Sequence, residues 1–145
     1  MEKVIIRNVE ISDISKLTTL CEELGYPANE DQVINRLNRI LKSTSDIVYV
    51  AVENDMLVGW IHAFRSLRLE TDSFAEIGGL VVSSEYRNKG IGKKLAEAAE
   101  KWAQKNGFSQ IRVRSRVERN EAKRFYEREG YVVKKSQNVF EKKLD

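Results

Sequence analysis

Residues 87–94 combine glycines and positive charges in a spacing that suits a bound anion. The segment reads RNKGIGKK, and its cationic side chains are Arg87, Lys89, Lys93 and Lys94. An apolar, β-branched run precedes it and a helical pattern follows it. The first N–H groups of a helix lack intrahelical acceptors and carry partial positive charge, and Gly90 and Gly92 leave room for an anion to approach them. The sequence therefore predicts a phosphate-binding turn between a strand and a helix.

Two common phosphate-binding motifs do not fit this segment. A P-loop opens with glycine and closes with Lys followed by Ser or Thr, whereas Arg87 and Lys94 stand at the opening and closing positions here. The dinucleotide-binding pattern G-x-G-x-x-G needs a third glycine, and this chain has Leu95 at that position. What remains is the pattern R-x-x-G-x-G, which runs from Arg87 to Gly92.

The apolar periodicity around that turn predicts a mixed α/β (α+β) chain. Strands are expected at residues 3–9, 47–52, 57–65, 74–82 and 108–117, followed by a closing hairpin of 131–135 and 139–144. Helices are expected from Ser12 or Asp13 to Gly25, from Asn29 to Leu41, over 90–106, and from Asn120 to Glu129. The helix between strands 74–82 and 108–117 implies that these two strands are parallel, within an otherwise antiparallel sheet of about seven strands.

Three features together resemble the GNAT superfamily of N-acetyltransferases. The R-x-x-G-x-G turn is similar to the loop with which that family binds the pyrophosphate of coenzyme A. Residues 120–131, NEAKRFYEREGY, resemble the family segment N-x-x-A-x-x-F-Y-x-x-x-G-F/Y. The predicted order of strands and helices matches over essentially the full chain. The resemblance therefore implies a single GNAT domain over residues 1–145, with helices flanking the sheet.

The resemblance also implies that acetyl-CoA is the cosubstrate and that no metal takes part. In the family, the pantetheine arm pairs with the backbone that follows a β-bulge, and the pyrophosphate accepts hydrogen bonds from the loop. The corresponding residues here are Leu80, Val81, Val82, Arg87, Asn88, Lys89, Gly90, Ile91, Gly92 and Lys93. Asn120 and Tyr126 are the further candidates for contacts with the cofactor, and Asn120 can also cap its helix.

Two side chains are the candidates for proton transfer. Glu76 lies in the strand FAEIGGLVV where several family members place a catalytic carboxylate. It is expected to act as general base, directly or through water, because a primary amine with a pKa of about 10 is mostly protonated at neutral pH. In a regular strand, side chains 76, 78 and 80 would share a face. The alternative is that Glu76 faces solvent or pairs with Arg65.

Tyr126 is expected to act as general acid. The resemblance implies a phenol that hands a proton to the departing thiolate of coenzyme A. The alternative is that Phe125 and Tyr126 are both packing aromatics. His62, alone in the middle of a strand, is expected to be structural, with a place in the substrate pocket as the alternative. Cys21 is expected to be a packed thiol on the apolar side of the first helix.

Composition limits the remaining function classes. The 145 residues are 41% hydrophobic and 32% charged, which is typical of a globular protein. The net charge of +3 gives no reason to expect a nucleic acid or a membrane as partner, and no apolar run approaches the ~18 residues of a membrane span. One cysteine cannot form an internal disulfide, which fits a cytoplasmic protein. A homodimer is expected only from the family resemblance.

Two alternatives to the enzyme stay open at this point. A non-catalytic acyl-CoA-binding or regulatory module would keep the phosphate-binding turn without needing Glu76 or Tyr126. A basic nucleic-acid-binding domain would use the arginines of the 108–117 strand and the turn after it, namely Arg112, Arg114, Arg116 and Arg119. The low net charge and the interleaved Glu118 and Glu121 argue against nucleic acid.

Overall fold

One five-stranded sheet organises the first part of the chain. The computed structural model describes residues 3–145, which form two units, one up to Val113 and one from Arg114 onward. The strands are β1 (Val4–Asn8), β2 (Asp46–Glu53), β3 (Met56–Ser66), β4 (Phe74–Val82) and β5 (Ile111–Val113), and they lie in this order across the sheet. Strands β1 to β4 are antiparallel, while β5 is parallel to β4. The predicted parallel pair is therefore confirmed.

Three helices belong to the first unit. They are α1 (Ile14–Leu24), α2 (Glu30–Lys42) and α3 (Ile91–Lys105). The capping box predicted for α2 is present, because the Gln32 N–H donates to the Asn29 side chain at 2.9 Å and the Asn29 N–H donates to the Gln32 side chain at 3.1 Å. Gly25 ends α1 in the left-handed conformation with φ of 100°, as its position predicts.

Helices α1 and α2 cover one face of the sheet, and α3 covers the other. One apolar cluster joins the first two helices to the sheet, and its buried members include Leu17, Leu20, Val33, Leu37, Val50 and Val81. Trp60 packs against this cluster, whereas a Cβ atom on the adjacent Gly59 would lie 3.2 Å from Leu95 of α3. Consecutive strand residues point to opposite faces. Strand β4 therefore runs between two layers of helix.

Gly78 is an extra residue in β4. Strand β3 pairs His62 with Gly79 and Ala63 with Ile77, which leaves Gly78 without a partner of its own. Such a β-bulge bends the strand and changes the face to which later side chains point. The β-bulge implied by the family resemblance is thus present in the strand before the predicted phosphate-binding turn.

The bulge corrects the expectation that side chains 76, 78 and 80 share a face. Glu76 pairs with Phe64 and Leu80 pairs with Ile61. Phe64 and Ile61 are an odd number of residues apart, so they point to opposite faces of β3. Since paired residues share a face, Glu76 lies on the side of α1 and α2, whereas Leu80 lies on the side of α3.

The second unit contains α4 (Asn120–Arg128) and no strand. The fold class is confirmed, but the sheet has five strands where about seven were expected, because residues 131–145 do not form the predicted hairpin. Strand β5 is also shorter than expected and spans only Ile111–Val113. A two-stranded hairpin on its own is marginally stable at best. Whether residues 1–145 act as one domain stays a prediction.

Asn120 is the first residue of α4 and does not cap it. Arg119 occupies the cap position with φ of −88° and ψ of 82°, and no side chain caps the helix there. The non-helical backbone at Arg119 starts the helix one residue early, so the expected capping role of Asn120 is wrong. Gly130, with φ of 92°, follows the helix as predicted.

Candidate active site

The final part of β4 has an open edge. Strand β5 pairs only with Ala75, Glu76 and Ile77, and no described strand continues the pairing on that side beyond Ile77. On the other side, the Ser83 N–H donates to the Val58 carbonyl at 2.7 Å. Because backbone groups alternate in direction along a strand, the N–H and C=O groups of Leu80 and Val82 point toward the open edge. The two parallel strands therefore separate where the pantetheine arm is expected to pair.

A left-handed turn joins this edge to α3. The Nε atom of Arg87 donates to the Val82 carbonyl at 3.4 Å, which ties the turn to the end of the strand. Asn88 and Gly90 both have positive φ, at 64° and 79°. Asparagine and glycine adopt this conformation at the lowest cost. Nothing lies within 4 Å of the position that a Cβ atom on Gly90 would occupy, so the turn is open above the helix.

The N-terminus of α3 has no side-chain cap. Gly90 is its N-cap residue, and the first helical hydrogen bond runs from the Lys94 N–H to the Gly90 carbonyl at 3.1 Å. The N–H groups of Ile91, Gly92 and Lys93 therefore have no acceptor within the helix. Such a helix start, with its dipole, suits an anion, and binding of a phosphate here stays a prediction.

Lys89 is turned toward the β2–β3 hairpin. Its ammonium lies 4.0 Å from the carboxylate of Glu53 and 5.0 Å from the centre of the Tyr86 ring. Glu53 is buried, so this cation offsets a charge that water does not reach well. Lys89 is a predicted cofactor contact, and its ammonium also offsets the charge of the buried Glu53 carboxylate.

Glu76 is buried between β3 and β5. It is 7% exposed, so the interpretation that it faces solvent is wrong. Its partners across the sheet are Phe64 and Arg112, and the guanidinium of Arg112 lies 4.0 Å from the centre of the buried Phe74 ring. Arg65 is adjacent to Phe64 in β3 and therefore points to the other face. The carboxylate is held on the face that α1 and α2 cover.

A hydrogen-bonded pair, Asp46 and His62, lies on the same face, and no sequence pattern predicted it. The Nε2 atom of His62 is 2.7 Å from the Asp46 carboxylate. The hydroxyl of Ser43 donates to the other carboxylate oxygen at 2.6 Å. Both side chains of the pair are about one-fifth exposed, at 23% and 22%. His62 is thus more than a packed strand residue. Only the register of the β2–β3 hairpin could have revealed the pair.

Tyr126 lies in α4, in the second unit. Its ring makes edge-on contacts with Phe125 and Tyr131, with centres 5.0 and 5.5 Å apart. Burial raises the pKa of Tyr126 to about 12, so the phenol keeps its proton throughout the neutral range. Asn120 is exposed in the same helix. The packing role foreseen for Tyr126 is therefore present, and its role as proton donor stays a prediction.

Other features limit what the described residues can do. Among residues 3–145, no three His, Cys, Asp or Glu side chains gather into a group that could hold a metal ion. No helix in this part of the chain has the length and apolar character needed to cross a membrane. Cys21 is half-buried, and burial raises the pKa of its thiol, which fits the packed role expected for it.

Comparisons with known proteins agree with this geometry. The acetyltransferase (GNAT) family matches residues 11–131. The uncharacterized N-acetyltransferase YhdJ of Bacillus subtilis is 25% identical over 115 residues, covering 79% of this chain and 81% of YhdJ. The crystal structure of a GNAT family acetyltransferase of Staphylococcus aureus is 28% identical, with a TM-score of 0.76 over 97% of this chain and 98% of that one.

A further solved structure was determined with coenzyme A bound. It is the aminoglycoside N-acetyltransferase AAC(6')-Iy, which has a TM-score of 0.89 over 99% of this chain and 97% of its own. Its sequence identity is only 16%, so this likeness concerns the fold alone.

Proposed function

Because the chain belongs to the GNAT family of acetyltransferases, we propose that residues 1–145 form one domain that transfers the acetyl group of acetyl-CoA to a primary amine of a small molecule or a protein. The observation that carries the proposal is the continuity of two backbone features. The open edge of β4 at Leu80 and Val82 leads through a short turn into the uncapped N-terminus of α3.

The open edge of β4 suits the pantetheine arm of coenzyme A, and the N-terminus of α3 suits its diphosphate. An amide-containing arm can pair with the free N–H and C=O groups of an open strand edge, as an added strand would. A diphosphate can accept from the N–H groups at a helix start, where glycine allows close approach. We assign the arm to Leu80, Val81 and Val82. The diphosphate is assigned to the turn and the first helical residues, Arg87, Asn88, Lys89, Gly90, Ile91, Gly92 and Lys93. Asn120 and Tyr126 are assigned to the arm as the family segment implies.

The proposed reaction is a direct transfer. Glu76 takes a proton from the ammonium form of the acceptor, and the nitrogen lone pair then attacks the thioester carbonyl. The new C–N bond forms, the C–S bond breaks, and the departing thiolate takes a proton from Tyr126. The nitrogen then loses its second proton, the Tyr126 phenol is restored, and one proton in total leaves to solvent. Glu76 suits its part because its burial between two strands fixes the carboxylate in one position.

The two alternative functions, a non-catalytic acyl-CoA-binding module and a nucleic-acid-binding domain, account less well for Glu76 and Arg112. A non-catalytic acyl-CoA-binding module would not need a carboxylate at position 76 or a phenol at position 126. A nucleic-acid-binding surface would lose Arg112, because its guanidinium covers Phe74. Both observations favour the enzyme.

We propose that the protein is located in the cytoplasm, because its single cysteine fits a reducing compartment.

The test is a panel of amines incubated with acetyl-CoA, with free thiol measured over time. The panel contains peptides with a free N-terminus, peptides with a blocked N-terminus and one lysine, and small primary amines. Thiol release above the rate without amine, with an acetylated product seen by mass spectrometry, is the expected result. Tight binding of coenzyme A by calorimetry with no acetylated product from any class would instead establish the non-catalytic module.

A further inference from the structure

His62 and Asp46 form an oriented pair beside the β4 bulge. An ionised carboxylate only accepts hydrogen bonds, so Asp46 holds the proton of the imidazole on Nε2, 2.7 Å away. In the neutral ring, the other nitrogen, Nδ1, then carries a lone pair. A Cβ atom built on Gly78 would lie 3.2 Å from this Nδ1. Nδ1 therefore lies beside the bulge residue, which is exposed.

The bulge is the point where the acceptor must meet the thioester. In the proposed function the pantetheine arm pairs along Leu80 to Val82, directly after the bulge. His62 pairs with Gly79 and Glu76 pairs with Phe64, and both side chains lie on the α1–α2 face. The ionisable side chains on the same face of the neighbouring strands are Asp46, Glu76 and Arg112.

The stoichiometry of the reaction leaves one proton that must be carried to solvent. An ammonium acceptor loses two protons in becoming an amide, one before the nitrogen attacks and one from the adduct. One of these is balanced by the proton that the thiolate gains, and the other is released to solvent. Glu76 is buried, whereas His62 and Asp46 are each about one-fifth exposed, at 23% and 22%.

We propose that His62 is a second catalytic base, which takes the proton that the reaction releases and passes it to solvent. Asp46 is its positioning residue, because it fixes the tautomer and the ring orientation. The inference rests on the proposed function. In balanced form, the remaining N–H bond of the adduct breaks, its electron pair stays on nitrogen, and the proton forms a bond to Nδ1 of His62, while the proton taken by Glu76 replaces the one that Tyr126 gave to the thiolate. The ring then returns the proton to water.

A purely structural role explains the pair less well. Strands β2 and β3 already pair from Asp46 to Glu53, so their association does not depend on this contact. A side-chain contact at this degree of exposure contributes little to stability. A structural role also gives no reason for Nδ1 to lie beside Gly78.

The experiment compares three variants on the amine of the panel that the parent acetylates fastest. We expect His62→Gln to lower kcat at neutral pH by about 10²-fold with little change in the KM for acetyl-CoA. Raising the pH should restore part of the loss, because the amine then loses its proton unaided. Asp46→Asn should lower kcat by about 10-fold, as a displaced or wrongly protonated imidazole would. Arg65→Gln, on the other face of the same strand, is the control and should keep the parent rate.

A readout without turnover completes the test. Nitrogen-15 NMR of the parent should show His62 with its proton on Nε2, and Asp46→Asn should alter that signal. A proton on Nδ1, or an active parent whose rate and pH profile survive His62→Gln, overturns the inference while the proposed function stands. A parent that acetylates no amine overturns both.

Discussion

Glu76 and Leu80 lie on opposite faces of β4 although an even number of residues separates them. The extra residue Gly78 causes the change of face. As a result, the buried carboxylate points to the α1–α2 side, while the N–H and C=O groups of Leu80 and Val82 point to the edge where no described strand pairs with them. In the proposed function, the Glu76 side chain takes the proton of the acceptor amine, and the arm of coenzyme A pairs with the backbone at the strand edge.

The Glu76→Gln variant tests this assignment of the base. The amide keeps the shape of the side chain but does not take a proton at neutral pH, so the rate of transfer should fall by about 10²–10⁴-fold. The acidic limb of the rate–pH profile should be lost or strongly shifted, and a higher pH should partly restore the rate. Steady-state rates across the pH range are the measurement.

Two controls accompany Glu76→Gln. Calorimetry should show unchanged coenzyme A affinity, because the proposed pairing with the pantetheine arm uses backbone groups of Leu80 to Val82 and not the Glu76 side chain. The double variant with His62→Gln shows whether the two bases act independently. If Glu76→Gln alone keeps the parent rate and profile, the carboxylate has no part in proton removal.

Replacing Tyr126 with Phe should lower turnover much more than the affinity for acetyl-CoA. The hydroxyl is needed only when the thiolate departs, and general acids contribute about 10²–10⁴-fold. Rates under saturating acetyl-CoA and calorimetry separate the two effects. Phe125→Leu is a matched control for the neighbouring aromatic. A turnover number unchanged by Tyr126→Phe would leave Tyr126 with its packing role alone.

The same variant should change stability at alkaline pH. Burial raises the pKa of Tyr126 to about 12, above the value of about 10 expected in an unfolded chain. The stability from keeping this phenol protonated is therefore present below pH 10 and is lost as the pH rises toward 12. Between these pH values, the free energy of unfolding should fall more steeply for the parent than for Tyr126→Phe. Equal slopes in denaturant titrations would contradict the raised pKa.

The capping box of α2 gives a prediction for stability alone. Asn29→Ala removes the acceptor for the Gln32 N–H, so the free energy of unfolding should fall by about 1 kcal/mol. Asn35→Ala, at an exposed position inside the same helix, should leave it equal or slightly higher, because alanine favours helix. Urea titrations of both variants provide the comparison, and equal stabilities would remove the capping role.

Local patterns were enough to predict the elements that carry the site. Strand β4 begins and ends at the predicted residues 74 and 82, because its apolar run is bounded by polar segments. The start of α2 at the Asn29 box and the glycines around α3 were likewise visible in sequence. In each case the signal lies within a few neighbouring residues.

The features that sequence could not supply depend on strand register. Strand β3 pairs Leu57 with Val52 and Gly59 with Ala51, so Val58 is extra. Without that one-residue shift, His62 would point away from Asp46, since a slip of one residue exchanges the two faces. A single inserted residue leaves no composition signal. The failed hairpin at 131–145 has a similar cause, because alternating residues form a strand only where a partner is available.

The proposed diphosphate site at the N-terminus of α3 is tested by measuring coenzyme A binding to Gly92→Asp. Gly92 is the second residue of α3, where its N–H is expected to contact the diphosphate. The substitution adds both a side chain and a negative charge at that point. Gln104→Asp, in the last part of the same helix, adds the same charge far from the turn and serves as the control. Circular dichroism confirms that each variant is folded.

The measurement is calorimetric titration of the parent and both variants with coenzyme A. We expect Gly92→Asp to weaken binding by about 10²-fold or more, because a charge-assisted contact is lost and replaced by repulsion, while Gln104→Asp should bind like the parent. A folded Gly92→Asp protein that binds coenzyme A as tightly as the parent would contradict the assignment of the diphosphate to the α3 N-terminus.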